Sequence, residues 1–242
     1  MVRTLSEFEA LQWPDFLERM AEEWQPGEHW ALIVPTGGGK TTFAGGLAKT
    51  RKYVLALDVK GGDKTLKRLK WERLTKWPLT REQRNDIEDG KPMRLLVGNT
   101  GRDPVSKLKR FSLMHKVLQD VQVEGGWTLL ATDLKLLTHP RFGGLWGEVE
   151  ELILLARDAG VSVITDMQRP TGQPRESSDQ ATWLAVGPSR DTDASSRLGE
   201  MMGRSRAEMR AAVSELAALE HGFMVVNRRP NDPIIITRPE KL

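Results

Sequence analysis

Short apolar runs recur along the chain, separated by stretches in which apolar residues return every three or four positions. Eight runs read as strands: "HWALIV" (29–34), "KYVLALD" (52–58), "MRLLVG" (93–98), "WTLLATD" (127–133), "VSVITD" (161–166), "TWLAV" (182–186), "FMVV" (223–226) and "IIIT" (234–237). Helical spacing lies between them. Phe8, Leu11, Phe16, Leu17 and Met20 predict a helix over residues 4–24, opened by a capping box of Ser6 and Glu9 and broken by "QPGEH". Asp103 followed by Pro104 opens a helix running to about Gln122. Val149, Leu152, Ile153 and Ala156 form a stripe on a further helix, with Gly160 as its stop, and Ser205 with Glu208 marks another helix start. Residues 168–180 read as the longest loop. Strands alternating with helices predict an α/β fold with a largely parallel sheet flanked by helices. Residues 1–25 form an N-terminal helical segment in this reading, and residues 26–242 a single domain.

Composition narrows the chemistry. There is no cysteine, which excludes disulfides and thiolate sites, and the four histidines (His29, His115, His139, His221) show no metal-ligand spacing. No apolar stretch approaches a membrane span and the N-terminus lacks the pattern of an export signal, so a cytoplasmic protein without membrane contact is expected. The formal charge of +3 tilts mildly toward polyanions.

Residues 34–41 read V-P-T-G-G-G-K-T, which is the phosphate-loop pattern G-x-x-x-x-G-K-[ST] with Val34 in place of its first glycine. A strand precedes it and a helix can follow. Gly37, Gly38 and Gly39 let backbone N–H groups turn around a β-phosphate, Lys40 reaches the β- and γ-oxygens, and Thr41 ligates Mg²⁺. Thr36 and Thr42 flank the loop and complete the expected ATP contacts. The competing reading is a loose glycine turn ahead of a lysine.

Such a site requires an acid at a neighbouring strand end to hold Mg²⁺ through water. Asp58 and Asp133 both qualify, and each also fits a plain turn-starting aspartate. Asp133 is favoured because a helix and then "VSVITD" follow it, leading to Gln168, a polar residue placed to sense the γ-phosphate.

Three segments then resemble the FtsK/HerA-type ATPases: "YVLALDVKGGD", "LARDAGVSVITDMQRPT" and "SRDTDASSRLGEMMG". With the phosphate loop, they cover roughly residues 26–240 in that family's order. The resemblance implies a P-loop NTPase fold of the RecA/ASCE type, with Lys40 and Thr41 as the loop pair, Asp133 as the magnesium-associated aspartate and Gln168 as the sensor. It also implies that Arg157 is an arginine finger acting on a neighbouring subunit's nucleotide; its own position offers a simpler role, a cation at a helix C-terminus. One departure stands out. The family carries glutamate directly after the strand-end aspartate, whereas here Leu134 follows, so Asp63, Glu148 or Glu150 must substitute or hydrolysis is slow.

The same resemblance implies a ring of five or six copies that moves double-stranded DNA, as in viral genome packaging or mobile-element transfer, with room for a portal or docking protein. Lys60, Lys64, Lys67, Arg68, Lys70, Arg73 and Lys76, with "SKLKR" and "GRSRAEMR", offer cations for phosphates irrespective of sequence; solvated helix faces explain such runs equally well. Trp71 and Trp77 can stack on bases, though core packing explains tryptophans more simply. Two rivals remain: a small-molecule kinase using residues 168–180 as a lid, and a nucleotide-gated DNA-binding module with poor turnover.

Overall fold

The computed structural model describes residues 9–155, 157–167, 178–188, 199–203, 219–228 and 234–240, with isolated positions between 205 and 216. Ten strands make one sheet: β1 (Glu9–Ala10), β2 (Trp30–Ile33), β3 (Tyr53–Leu57), β4 (Glu72–Leu74), β5 (Met93–Val97), β6 (Thr128–Ala131), β7 (Ser162–Met167), β8 (Trp183–Val186), β9 (Phe223–Asn227) and β10 (Ile234–Thr237). Their order is β1-β10-β9-β8-β2-β7-β6-β3-β5-β4, and only β9 runs antiparallel to its neighbours. Helices among the described residues include α1 (Trp13–Glu23), α2 (Lys40–Ala48), α3 (Lys64–Arg68), α4 (Arg81–Glu88), α5 (Pro104–Glu124), α6 (Leu134–Thr138) and α7 (Trp146–Leu155).

All eight runs read as strands are strands. The helix expected over residues 4–24 is corrected: Glu9 and Ala10 pair with β10, and the helix starts only at Trp13. Pro14 explains the shift. It lacks an N–H and fits the first turn of a helix, not its interior, and Glu9 binds Arg19 at 2.7 Å instead of closing a cap. The helix at Pro104 is as expected, with the Asp103 carboxylate accepting the Ser106 N–H at 2.9 Å. Ala156, residues 168–177 and Glu208, on which three expectations fell, lie outside the described residues.

The sheet is buried on both faces, as parallel sheets are. On one face α5 and α7 cover Leu129, Ala131 and Val163 through Val117, Val121, Val149 and Leu152. On the other, α1 and α2 set Phe16, Phe43 and Leu47 against Trp30, Leu32, Leu130 and Ile164. Every tryptophan is in this core or packed on it, including Trp71 and Trp77, and the Trp77 indole N–H donates to Asp120 at 2.6 Å. Trp71 and Trp77 are half-buried, each with part of its surface packed on the core. Phe43 stacks on Phe223 of β9 with ring centroids 4.5 Å apart, which ties the start of α2 to that strand.

Candidate functional site

The site lies where β2 runs out. Val34 N–H donates to the Met167 carbonyl at 2.9 Å, the chain turns with Gly38 N–H donating to the Pro35 carbonyl at 3.0 Å, and α2 begins at Lys40. Gly37 and Gly39 sit in the left-handed region, at φ +83° and +87°, a conformation that disfavours any side chain. No side chain caps α2. Its first N–H groups are therefore left for an anion, at the end where the helix dipole favours negative charge.

Val34, the departure from the glycine pattern, is accommodated by its surroundings. A Cβ on Gly38 would stand 2.5 Å from Val34 Cγ1, and a Cβ on Gly187 would stand 2.7 Å from the same atom. The valine methyls thus occupy space that two glycines keep open. Gly38 packs behind the loop, while Thr36, Gly37, Gly39, Lys40, Thr41 and Thr42 line a cleft of about 410 Å³. Its other walls are Lys60, Thr65 and Arg68 from the segment after β3, Asp133 after β6, and His221 and Pro239 on the far side.

Three aspartates end strands of this sheet, in three different environments. Asp58 is fully buried and committed: it accepts the Gly62 and Asp63 N–H groups at 2.8 and 3.2 Å and pairs with Arg73 at 3.0 Å. Asp133 lies two residues beyond the end of β6, at φ +58°, lines the cleft and pairs with Lys60 at 2.7 Å. Burial lowers the Lys60 ammonium's proton affinity, but the bond to Asp133 and the surrounding carboxylates outweigh it, leaving its pKa raised. Asp166, in β7, is only 3% exposed; one oxygen accepts the Leu134 N–H at 3.2 Å, and the other faces Lys40 Nζ at 3.3 Å without a hydrogen bond. Burial pushes the Asp166 pKa up, against the pull of Lys40.

Sequence reasoning passed over Asp166. It stood within a run already read as a strand, and only the strand order, with β7 between β2 and β6, places it beneath Lys40.

The substitutes proposed for the missing glutamate do not fill that place. Asp63 caps α3 through the Thr65 and Leu66 N–H groups. Glu148 binds His115 at 2.6 Å, and Glu150 lies with it on α7, across the sheet from α2. Arg73, counted among the mobile cations, is held by Asp58 and the Gly98 carbonyl. Arg110 of "SKLKR" is likewise buried, bonded to the Asn99 and Gly101 carbonyls. Arg157 donates to Thr182 Oγ1 at 3.1 Å, just before β7 and β8 begin, whereas the phosphate loop lies where β7 ends. The six residues of β7 separate the two by about 20 Å. Arg157 is therefore remote from the cleft of its own chain. Gln168 lies outside the described residues.

No family model matches the sequence, and no curated protein is similar to it. Solved structures are similar in fold. The genome packaging NTPase B204 of Sulfolobus turreted icosahedral virus 2, in complex with AMPPCP, superposes with a TM-score of 0.58 at 16% identity, covering 89% of this chain and 99% of that one. The pCW3 conjugation coupling protein TcpA with ATPγS gives 0.51 at 14% identity, covering 89% of this chain and 60% of that one. The cytoplasmic domain of the type VII secretion ATPase EccC from Thermomonospora curvata gives 0.50 at 13%, covering 92% and 27%. The chain has the fold of these P-loop ATPases: a mostly parallel sheet flanked by helices, with the glycine loop at the end of a central strand. No helix among the described residues is long and apolar enough to cross a membrane.

Proposed function

We propose that the chain is an FtsK/HerA-type ATPase that hydrolyses ATP with Mg²⁺ and uses the energy to move double-stranded DNA, most closely in the manner of a viral genome-packaging motor in a host cytoplasm. The observation that carries this reading is the cleft. An uncapped α2, two left-handed glycines and Lys40 face two carboxylates at the end of a parallel sheet. Backbone N–H groups and the Lys40 ammonium grip the β- and γ-phosphates.

The residues fit Mg²⁺. Thr41 stands in the first turn of α2, Asp133 lines the cleft and pairs with Lys60, and the buried Asp166 faces Lys40. Among the described residues no cluster of three acids or histidines could hold a metal alone, which suits a cation whose remaining ligands are nucleotide phosphates and water. When bound, Mg²⁺ neutralises charge developing on the transferred phosphoryl group.

The motor assignment rests on the similarity to packaging and conjugation ATPases and on the charge around the cleft. Lys60 and Arg68 line its wall, and Lys64, Lys67 and Lys70 belong to the same segment; such cations suit phosphates of any sequence. In this reading five or six copies form a ring. Arg157, too far from its own cleft, serves the neighbouring copy's nucleotide, Gln168 senses the γ-phosphate, and a portal or docking protein anchors the ring. The test is phosphate release with and without duplex DNA, alongside Lys40→Ala. Wild-type turnover that rises with DNA and falls at least about a hundredfold in the variant supports the reading. A rate indifferent to DNA but raised by a small hydroxyl acceptor refutes the motor in favour of a kinase.

A further inference from the structure

We infer, on the reading of the cleft as a Mg·ATP site, that His221 and Pro239 form the wall against which the nucleoside lies, with the His221 imidazole stacked on the base. Such a wall selects purine over pyrimidine triphosphates. It is the end of the site that the phosphate loop leaves undefined.

The sheet sets the loop between two unlike walls. Ile33 of β2, Val186 of β8 and Met224 of β9 stand side by side, and Phe223 pairs with Thr237 of β10. The turn before β9 and the segment after β10 therefore open at the same edge of the sheet as the loop, about 10–15 Å to one side of β2 at ordinary strand spacing. Asp133, after β6, stands on the other side, since β7 separates β6 from β2. On that side the residues lining the cleft are charged: Lys60, Arg68 and Asp133. On the β9 and β10 side they are His221 and Pro239, an imidazole and a pyrrolidine ring. Cations suit the phosphate end of a nucleotide, and flat rings suit its base.

Local structure holds His221 for that task. The Gly222 N–H donates to the Leu219 carbonyl at 2.9 Å, closing a four-residue turn whose third residue is His221, at φ +58°. That left-handed conformation is uncommon outside glycine, and histidine is among the residues that adopt it most readily. Among the described residues Lys70, Asp133 and His221 are the non-glycines that do so, and two of the three line this cleft, on opposite walls. Backbone outliers gather at ligand sites. The ring is half exposed, and its Nδ1 would stand 3.5 Å from a Cβ placed on Gly39, so it borders the last glycine of the loop. Glu220, at 4.0 Å, is too far to hold it by a hydrogen bond. The same two residues also line an adjoining groove of about 770 Å³, with Leu11, Leu219 and Ile236, so space for a base continues beyond the cleft itself. Stacking accepts any base but strengthens with the π-surface offered, which favours the two-ring purines.

The experiment measures by calorimetry, in Mg²⁺, the binding of β,γ-methylene ATP, the corresponding CTP analogue and inorganic tripolyphosphate to wild type, His221→Asn and His221→Phe, with thermal melts to confirm folding. Asparagine tolerates the left-handed backbone but has no ring, whereas phenylalanine keeps a ring. Wild type is expected to bind the ATP analogue about three- to tenfold more tightly than the CTP analogue. His221→Asn weakens the ATP analogue by about five- to twentyfold, closes most of that gap and leaves tripolyphosphate unchanged, while His221→Phe stays within about threefold of wild type. Undiminished binding of the ATP analogue by His221→Asn, an equal loss of tripolyphosphate, or a wild type indifferent to the base overturns the stacking wall alone. Failure of the wild type to bind any of the three ligands overturns the ATP reading of the cleft and this one with it. Should His221→Phe not fold, the contrast between the ATP analogue and tripolyphosphate in His221→Asn decides by itself.

Discussion

Adding one methyl group at Gly38 tests whether the phosphate loop depends on the fit between Val34 and the glycines around it. Gly38 lies outside the left-handed region, so alanine meets no conformational penalty there. The effect is steric: the new Cβ would stand 2.5 Å from Val34 Cγ1 and 3.1 Å from the Pro35 carbonyl oxygen. Val34 is fully buried in the α2-side core and cannot withdraw, so the loop must move. Overpacking of this kind costs about 1–3 kcal/mol. Since 1.4 kcal/mol is tenfold in an equilibrium constant, displacement of the loop amides lowers ATP affinity by about 5- to 150-fold. Val34→Ala removes the clashing methyl at a cost of about 1–3 kcal/mol in stability. In the double variant the methyl groups no longer collide, and affinity returns to within about threefold of Val34→Ala alone, a coupling of about 1–3 kcal/mol. Calorimetric titration of β,γ-methylene ATP into the four proteins, with thermal melts to confirm folding, completes the cycle. Simple multiplication of the two single losses in the double variant would refute the argument, since it would mean that the two side chains do not meet.

Further expectations follow from the same geometry. His29 accepts the Val163 N–H on Nδ1 and donates from Nε2 to the Ile153 carbonyl, and burial, with a smaller contribution from Arg157, lowers its pKa from 6.5 to about 4. The unfolded chain then binds the extra proton first, so stability measured by urea unfolding declines as pH drops from about 6.5 to 4, by up to about 3 kcal/mol, and His29→Gln flattens the profile. Arg73→Met strips a buried carboxylate of its charged partner and lowers stability by about 1–3 kcal/mol, whereas Lys67→Met leaves the melt unchanged and weakens duplex binding in a fluorescence titration. Arg157→Ala preserves nucleotide affinity and costs about 10³- to 10⁵-fold in turnover of the assembled protein; equal loss of both would rule out action on a neighbouring copy's nucleotide.

What the sequence made legible has a physical pattern. The eight strands were readable because each is a Val/Ile/Leu-rich run closed by a turn, which is how a strand buried on both faces must look. The two missed strands carry no such signal. Glu72–Leu74 has one well-buried apolar residue and owes its place to pairing with β5 and to Arg73 reaching Asp58 and Gly98, while Glu9–Ala10 is exposed and exists through β10. Pro14 is the local signal for the later helix start, since it fits the first turn of α1 and not a helix interior. At the site, the glycine loop was readable because its chemistry is local in sequence. The sorting of acids was not, because whether Asp58, Asp133 or Asp166 meets Lys40 depends on which strands lie side by side.

At the β4 border of the sheet the outermost strand, among the described residues, spans only three residues. A border that short leaves few unpaired amides and carbonyls to recruit another chain. On that side, continuing the sheet from one molecule into the next would gain little, and loops and helix surfaces offer the larger area for any contact.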